Sequence, residues 1–190
     1  MRAFFCLELK AELKEKLSNI SSQLTRADAH VSWVKPENLH ITIKFLGEIS
    51  DGLIPNLKAL AREAINSAKI EAPVTYLFDH LGAFPNPNRP KVIWVGSKTE
   101  SEPLQLLAQK LEQALSTIGF AKERDHFVTH VTVGRLKEEG SGVAKLIQVM
   151  QKIEPFEFSA QLDRLTLMKS DLTPGGSIYT PVFQIPFSPI

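Results

Sequence analysis

Two short stretches of this 190-residue chain carry the same arrangement of groups: His40-Ile41-Thr42-Ile43 and His130-Val131-Thr132-Val133, each reading His, apolar, Thr, apolar. On an extended strand side chains alternate, so an imidazole and a hydroxyl leave one face while the two apolar residues enter a core. A rise of ~3.3 Å per residue sets the two polar groups of each strand about 7 Å apart along the chain direction. An unperturbed imidazole has a pKa of about 6.5, which leaves both protonation states accessible near neutrality, so two imidazoles flanking one reacting centre can act as general base and general acid. Phosphodiester cleavage needs that division of labour. One neutral ring takes a proton from the attacking water, one imidazolium protonates the leaving ribose oxygen, and Thr hydroxyls hydrogen-bond the non-bridging oxygens where charge develops. No metal is required by this chemistry.

Either tetrad alone reads as ordinary polar residues on a half-exposed strand. The pair does not, because five His and ten Thr in a chain that is 43% apolar would give roughly 0.05 such tetrads in a shuffled sequence of that composition. His126 and His130 have the spacing of zinc ligands on a helix, but residues 128–133 read as strand, which separates the two side chains. His30 and His80 have no matching pattern and read as structural. Lys44 shares strand parity with His40 and Thr42 and can line the same cleft, although a surface lysine is the commoner fate. Phe45, Phe84 and Phe127 are candidates to stack on a base, with core packing favoured for Phe45.

The tetrads need strands held by helices, and the periodicities supply them. Residues 3–9 read as a strand, followed by a helix with Leu13, Leu17, Ile20 and Leu24 on one stripe. Residues 39–46 alternate as a second strand, Ser50 and Asp51 offer N-caps for a helix with Leu57, Leu60, Ala61, Ala64 and Ile65 on one face, and residues 74–78 form a third strand. Three prolines in Pro85-Asn86-Pro87-Asn88-Arg89-Pro90 predict a rigid loop near mid-chain. Beyond it come a strand at 92–95, a helix delimited by Pro103 and Gly119, a strand at 128–133, a helix at 142–150, and late strands at 156–160, 165–169 and 178–183. That makes about four helices and seven or eight strands.

Each half runs strand, helix, strand, helix, strand, and the histidines fall at matching offsets: His40 lies 37 residues after Ala3, and His130 lies 38 after Val92. A weak internal duplication follows, with halves of roughly 1–85 and 90–190 packing as pseudo-symmetric lobes of one domain over 1–190. Composition adds exclusions. Lys+Arg and Asp+Glu number 22 and 21, a net charge of +1, so the bulk field for non-specific binding to long nucleic acids is missing and any phosphate must be held locally. The single cysteine, Cys6, fits a reducing compartment and forms no zinc pattern. The apolar N-terminus is broken by Arg2, Glu8 and Lys10, so it reads as a strand instead of a signal peptide or membrane span, and a cytoplasmic address is expected.

The runs Leu39-His40-Ile41-Thr42-Ile43-Lys44-Phe45-Leu46-Gly47, Leu81-Gly82-Ala83-Phe84-Pro85, His130-Val131-Thr132-Val133 and Pro174-Gly175-Gly176 together resemble the two-histidine phosphoesterase superfamily. The likeness is nearest to the bacterial and archaeal RNA 2′,3′-cyclic phosphodiesterases, also called 2′-5′ RNA ligases, and extends over essentially the whole chain. It implies a two-lobed α+β fold, with antiparallel sheets in pseudo-two-fold arrangement and outer helices around a central cleft. It also implies cofactor-free hydrolysis of a 2′,3′-cyclic phosphate to a 2′-phosphomonoester, with reversible 2′-5′ ligation in some members. By the same likeness His40 is the proton donor and His130 the proton acceptor, which spacing alone does not distinguish. Thr42 and Thr132 bind substrate, and Arg135 stands where the family often has a phosphate-binding arginine, although strand parity turns it away from His130 unless Gly134 permits a bulge. The family's basic residue and proline ahead of the second tetrad are replaced by Val128 and Thr129. The expected partner is RNA with a 2′,3′-cyclic end, tRNA-like fragments included. No membrane and no obligate protein partner are expected, and a monomer is the default. Two rivals remain at this stage: hydrolysis of a small cyclic nucleotide such as a cyclic phosphate of ADP-ribose, and a module that grips RNA ends or nucleotides without turnover.

Overall fold

The computed structural model describes residues 1–137, 140 and 142–189. In chain order they form β1 (Arg2–Glu8), α1 (Ala11–Leu24), β2 (Val31–Trp33), β3 (His40–Glu48), α2 (Ile54–Ser67), β4 (Glu71–Ala72), β5 (Val74–Phe78), β6 (His80–Asn86), β7 (Arg89–Gly96), α3 (Glu102–Ser116), β8 (His130–Leu136), α4 (Gly142–Gln151), β9 (Phe158–Leu162), β10 (Arg164–Thr173), β11 (Gly176–Pro186) and β12 (Ser188–Pro189). The α+β class and its four α-helices are as the periodicities require. The strands are more numerous than expected, because pieces of two or three residues such as β2, β4 and β12 are too short to show alternation.

The main sheet has eight strands in the order β11-β10-β1-β3-β8-β7-β6, with β2 added on β8. Every pairing within it is antiparallel. β1 and β3 of the first half adjoin β8 and β7 of the second where Ile41 pairs with Val131, and the outer strands are exchanged: β10 and β11 of the second half pair onto β1, and β6 of the first onto β7. The two inner strand pairs match in register: β1 places Glu8 opposite His40, and β7 places Gly96 opposite His130. One face of the sheet is apolar. Phe5, Leu7, Ile41, Val131, Val133, Leu165 and Leu167 are buried there with the inner stripes of the helices, including Leu17 and Leu24 of α1 and Leu104, Leu107 and Leu111 of α3. Alternate residues of β1 and β10 turn the other way, where Phe4, Cys6 and Met168 form a small separate cluster with Tyr179 packed against it.

The prolines at 85–90 do not make a loop. β6 and β7 form a hairpin that pairs Pro85 with Pro90 and Asn86 with Arg89, and the Asn86 side chain accepts the backbone N–H groups of Asn88 and Arg89. Proline is tolerated because β6 is an edge strand and the ladder carries an irregularity between Phe84 and Pro85. Among the described residues no helix is long and apolar enough to cross a membrane.

Both tetrads end in a β-bulge. Against β1, Cys6 pairs with Thr42 and Phe5 with Lys44, so Ile43 is an extra residue; against β7, Trp94 pairs with Thr132 and Ile93 with Gly134, so Val133 is extra. A one-residue bulge reverses which face later side chains take. Lys44 is therefore turned away from the histidine face, contrary to simple alternation. It is buried, and its ammonium donates to Glu112 Oε1 at 3.1 Å, Glu123 Oε1 at 3.0 Å and the Ala121 carbonyl at 2.9 Å. Phe45 moves to the histidine face and is 54% exposed, so it is not a core residue. Gly134 accommodates close contact in the second bulge, since a Cβ there would lie 2.8 Å from Trp33 Cε3 and Val31 Cγ1.

Candidate active site

Ile41 and Val131 are fully buried on the helix-covered face, so His40, Thr42, His130 and Thr132 project from the opposite one, and all four are half-buried. Ile41 and Val131 are the pair that joins β3 to β8, which brings His40 and Thr42 of one strand beside His130 and Thr132 of the next. The two couples therefore lie on one face of adjoining strands in a single sheet.

Each imidazole is anchored in the same way. His40 Nδ1 lies 2.7 Å from the Asn38 carbonyl and His130 Nδ1 lies 2.7 Å from the Val128 carbonyl. A carbonyl only accepts, so each Nδ1 carries the hydrogen and donates, which leaves Nε2 as the working nitrogen of each neutral ring. The Thr42 hydroxyl sits 2.9 Å from His40 Nε2 and donates to it in that tautomer. Asn38 is itself tied down, its side-chain amide donating to the Ser177 carbonyl at 2.8 Å.

Aromatic rings wall both histidines. Phe4 and Tyr179 lie 4.9 and 5.3 Å from the His40 ring, and Phe84 and Trp94 lie 5.0 and 5.9 Å from that of His130. The resulting desolvation penalises the imidazolium. Burial pushes His40 down to about 4, with Lys14, His130 and Arg135 adding to the fall and the Asn38 hydrogen bond opposing it. Burial likewise lowers His130, reinforced by Arg135 and opposed by the Val128 carbonyl. Desolvation by the rings, with repulsion from neighbouring cations, thus shifts both imidazoles toward the neutral form relative to an unperturbed ring.

Arg135 settles a question that alternation left open. It pairs with Val92, which shares a face of β7 with Trp94 and Gly96, the partners of Thr132 and His130. The Val133 bulge therefore returns Arg135 to the histidine face, where it is exposed and acts electrostatically on both rings. Phe84 stands against the His130 ring, while Phe127 packs against the main core. His126 is an exposed residue 3.3 Å from Glu100. His80, which reads as structural from the sequence, lies on the same row as Gly96 and His130, with its ring 5.5 Å from Trp94. Tyr179 and Trp94 carried no sequence signal, since they come from strands far from the tetrads. Among the described residues no three His, Cys, Asp or Glu side chains cluster as metal ligands.

A constellation of two backbone-anchored imidazoles, hydroxyls and a guanidinium can bind an anion and pass protons to and from either side of it. Comparison with known proteins finds phosphoesterases. A family model described as LigT like Phosphoesterase matches residues 7–94 and 95–179. The chain is similar to the RNA 2′,3′-cyclic phosphodiesterase of Methanothermobacter thermautotrophicus, at 35% identity over 95% of both chains. It is also similar to that of Archaeoglobus fulgidus, at 35% identity over 94% of this chain and 96% of the relative. Among solved structures, E. coli LigT complexed with 3′-AMP superposes with a TM-score of 0.77 at 27% identity, covering 98% of this chain and 97% of that one. TT0787 of Thermus thermophilus gives 0.76 at 26% identity, covering 100% and 99%.

Proposed function

The chain belongs to the LigT-like phosphoesterase family, and from that premise we propose that it opens 2′,3′-cyclic phosphate ends of RNA to 2′-phosphomonoesters by paired-histidine acid–base catalysis. The observation that carries this reading is the hydrogen-bonded junction of β3 and β8 at Ile41 and Val131, which sets both imidazoles and Arg135 on one face.

His130 Nε2, which makes no hydrogen bond to any described residue, takes a proton from water as the water oxygen attacks phosphorus. The P–O3′ bond breaks, and His40, protonated at Nε2, gives its proton to O3′. Arg135 offsets the charge on the non-bridging oxygens, and the Thr42 and Thr132 hydroxyls donate to them. Because His40 is neutral in the free site, its proton arrives with the substrate: an anion between the rings favours the imidazolium. If an RNA 5′-hydroxyl replaces water at His130, the same proton transfers form a 2′-5′ linkage and release O3′, so ligation needs no further machinery.

Product analysis on a short RNA with a 2′,3′-cyclic end tests the reading. A 2′-phosphate product is expected, and His40→Ala or His130→Ala should each lose at least ~10²-fold in kcat with the fold intact. Full turnover in both variants, or a 3′-phosphate product, would overturn it. Faster cleavage of a mononucleotide than of RNA would favour the small-nucleotide substrate instead, and binding without product the non-catalytic module.

A further inference from the structure

A pocket of ≈ 160 Å³ opens beside His40 on the side away from His130, lined among others by Glu8, Lys14, Asn38, Met168, Tyr179 and Pro181. It is smaller than the ~300–1,000 Å³ that encloses a whole drug-sized ligand, so it suits a single ring. Its chemistry is mixed and built. The Glu8 carboxylate accepts at Oε1 from the buried Thr166 hydroxyl at 2.6 Å and from the Gln184 amide at 2.7 Å, which fixes the group in place. Among the described residues nothing bonds its Oε2, and that atom is not among the buried unpaired ones, so it faces solvent. The Lys14 ammonium donates to the Glu37 carbonyl at 2.8 Å and has two further N–H groups to give. It is close enough to act electrostatically on His40. Tyr179 and Met168 supply apolar wall.

A fixed carboxylate beside a phosphate-handling site repels the phosphate, so its occupant is an uncharged hydroxyl. In the reaction proposed above, on which this inference rests, O3′ departs on the His40 side and stays bonded to the terminal ribose, so that ribose lies beside His40 and the pocket is within reach of the nucleotide attached through its O5′. The terminal ribose has its 2′ and 3′ oxygens in the cyclic phosphate. The nearest free ribose hydroxyl is therefore the 2′-OH of the preceding nucleotide, whose 3′-phosphate joins it to the terminal one. We propose that the pocket is a subsite for this penultimate ribose, its 2′-hydroxyl donating to Glu8 Oε2 and the linking phosphate lying at Lys14. The site thereby tells RNA from a chain with deoxyribose at that position.

Two dinucleotides with a 2′,3′-cyclic end, identical except for a 2′-OH or 2′-H on the first sugar, make the test. One hydrogen bond to a charged group predicts a kcat/KM ratio on the order of 10-fold in favour of the ribose substrate. The difference should reside in KM, and the ratio should fall toward one in Glu8→Gln. Lys14→Met should raise KM for the ribose dinucleotide more than for a nucleoside 2′,3′-cyclic phosphate. A ratio near one in the native enzyme overturns the inference even if the Glu8 variant fails to fold, and so does a ratio unchanged in a folded Glu8→Gln. Failure of the native enzyme to cleave either dinucleotide or the nucleoside cyclic phosphate would instead remove the phosphodiesterase reading itself.

Discussion

Burial pushes His40 down to about 4 and also lowers His130, so the pair that must hold one proton between them holds none in the free site at pH 7. The profile of kcat/KM reports the free enzyme, and that of kcat the complex. We expect a bell in kcat/KM with its maximum on the acid side of pH 6.5, belonging to the pair as a whole, and a kcat maximum at higher pH because bound phosphodiester lifts both rings. Coincident maxima above pH 7 would contradict this. The same depression acts on stability. An unfolded His40 binds a proton below about pH 6.5, whereas the native ring resists it down to about 4, so stability is full above the unfolded value and lost as pH falls through that window. Denaturation midpoints should therefore drop between pH 7 and 4.5, and less so in His40→Asn.

At the scale of elements, the two bulges decide which residues serve the site. Strict alternation from His40 sends Lys44 into the cleft and from His130 sends Arg135 out of it; one extra residue in each strand, Ile43 and Val133, reverses both outcomes. Lys44 instead ties β3 to Glu112 of α3 and to Ala121 and Glu123 in the segment leading to His130. Lys44 is the buried member of this cluster, whereas Glu112 is 26% and Glu123 61% exposed, so water partly replaces the ammonium when it is removed. Lys44→Met should cost about 1 kcal/mol in a denaturation experiment, the lower end of the range for unsatisfied polar groups, because its partners are partly hydrated. An unaltered midpoint would show the cluster to be solvent-compensated. The alternation of the tetrads was legible because period two is a local property. The bulges were not, because each depends on how a strand registers with its neighbour.

At the scale of the whole molecule, the halves share structure instead of merely touching: β3 and β8 join them in one sheet, α1 of the first half packs on β8, and α3 of the second on β3. We expect one cooperative unfolding transition, with circular dichroism and tryptophan fluorescence coincident, and residues 1–85 alone failing to fold. Two separated transitions would mark independent lobes. The repeat of His, apolar, Thr, apolar at matched offsets was enough by itself to identify the strands, the core side of each, and the four polar side chains worth following, since alternation and composition are written residue by residue. Tertiary structure alone decided that the tetrads become neighbours on adjoining strands, that Arg135 joins them while Lys44 leaves, and that rings from β1, β6, β7 and β11 partly shield both imidazoles from water. Those outcomes arise from pairings between segments distant in the chain, and desolvation exists only once such segments have closed around a group.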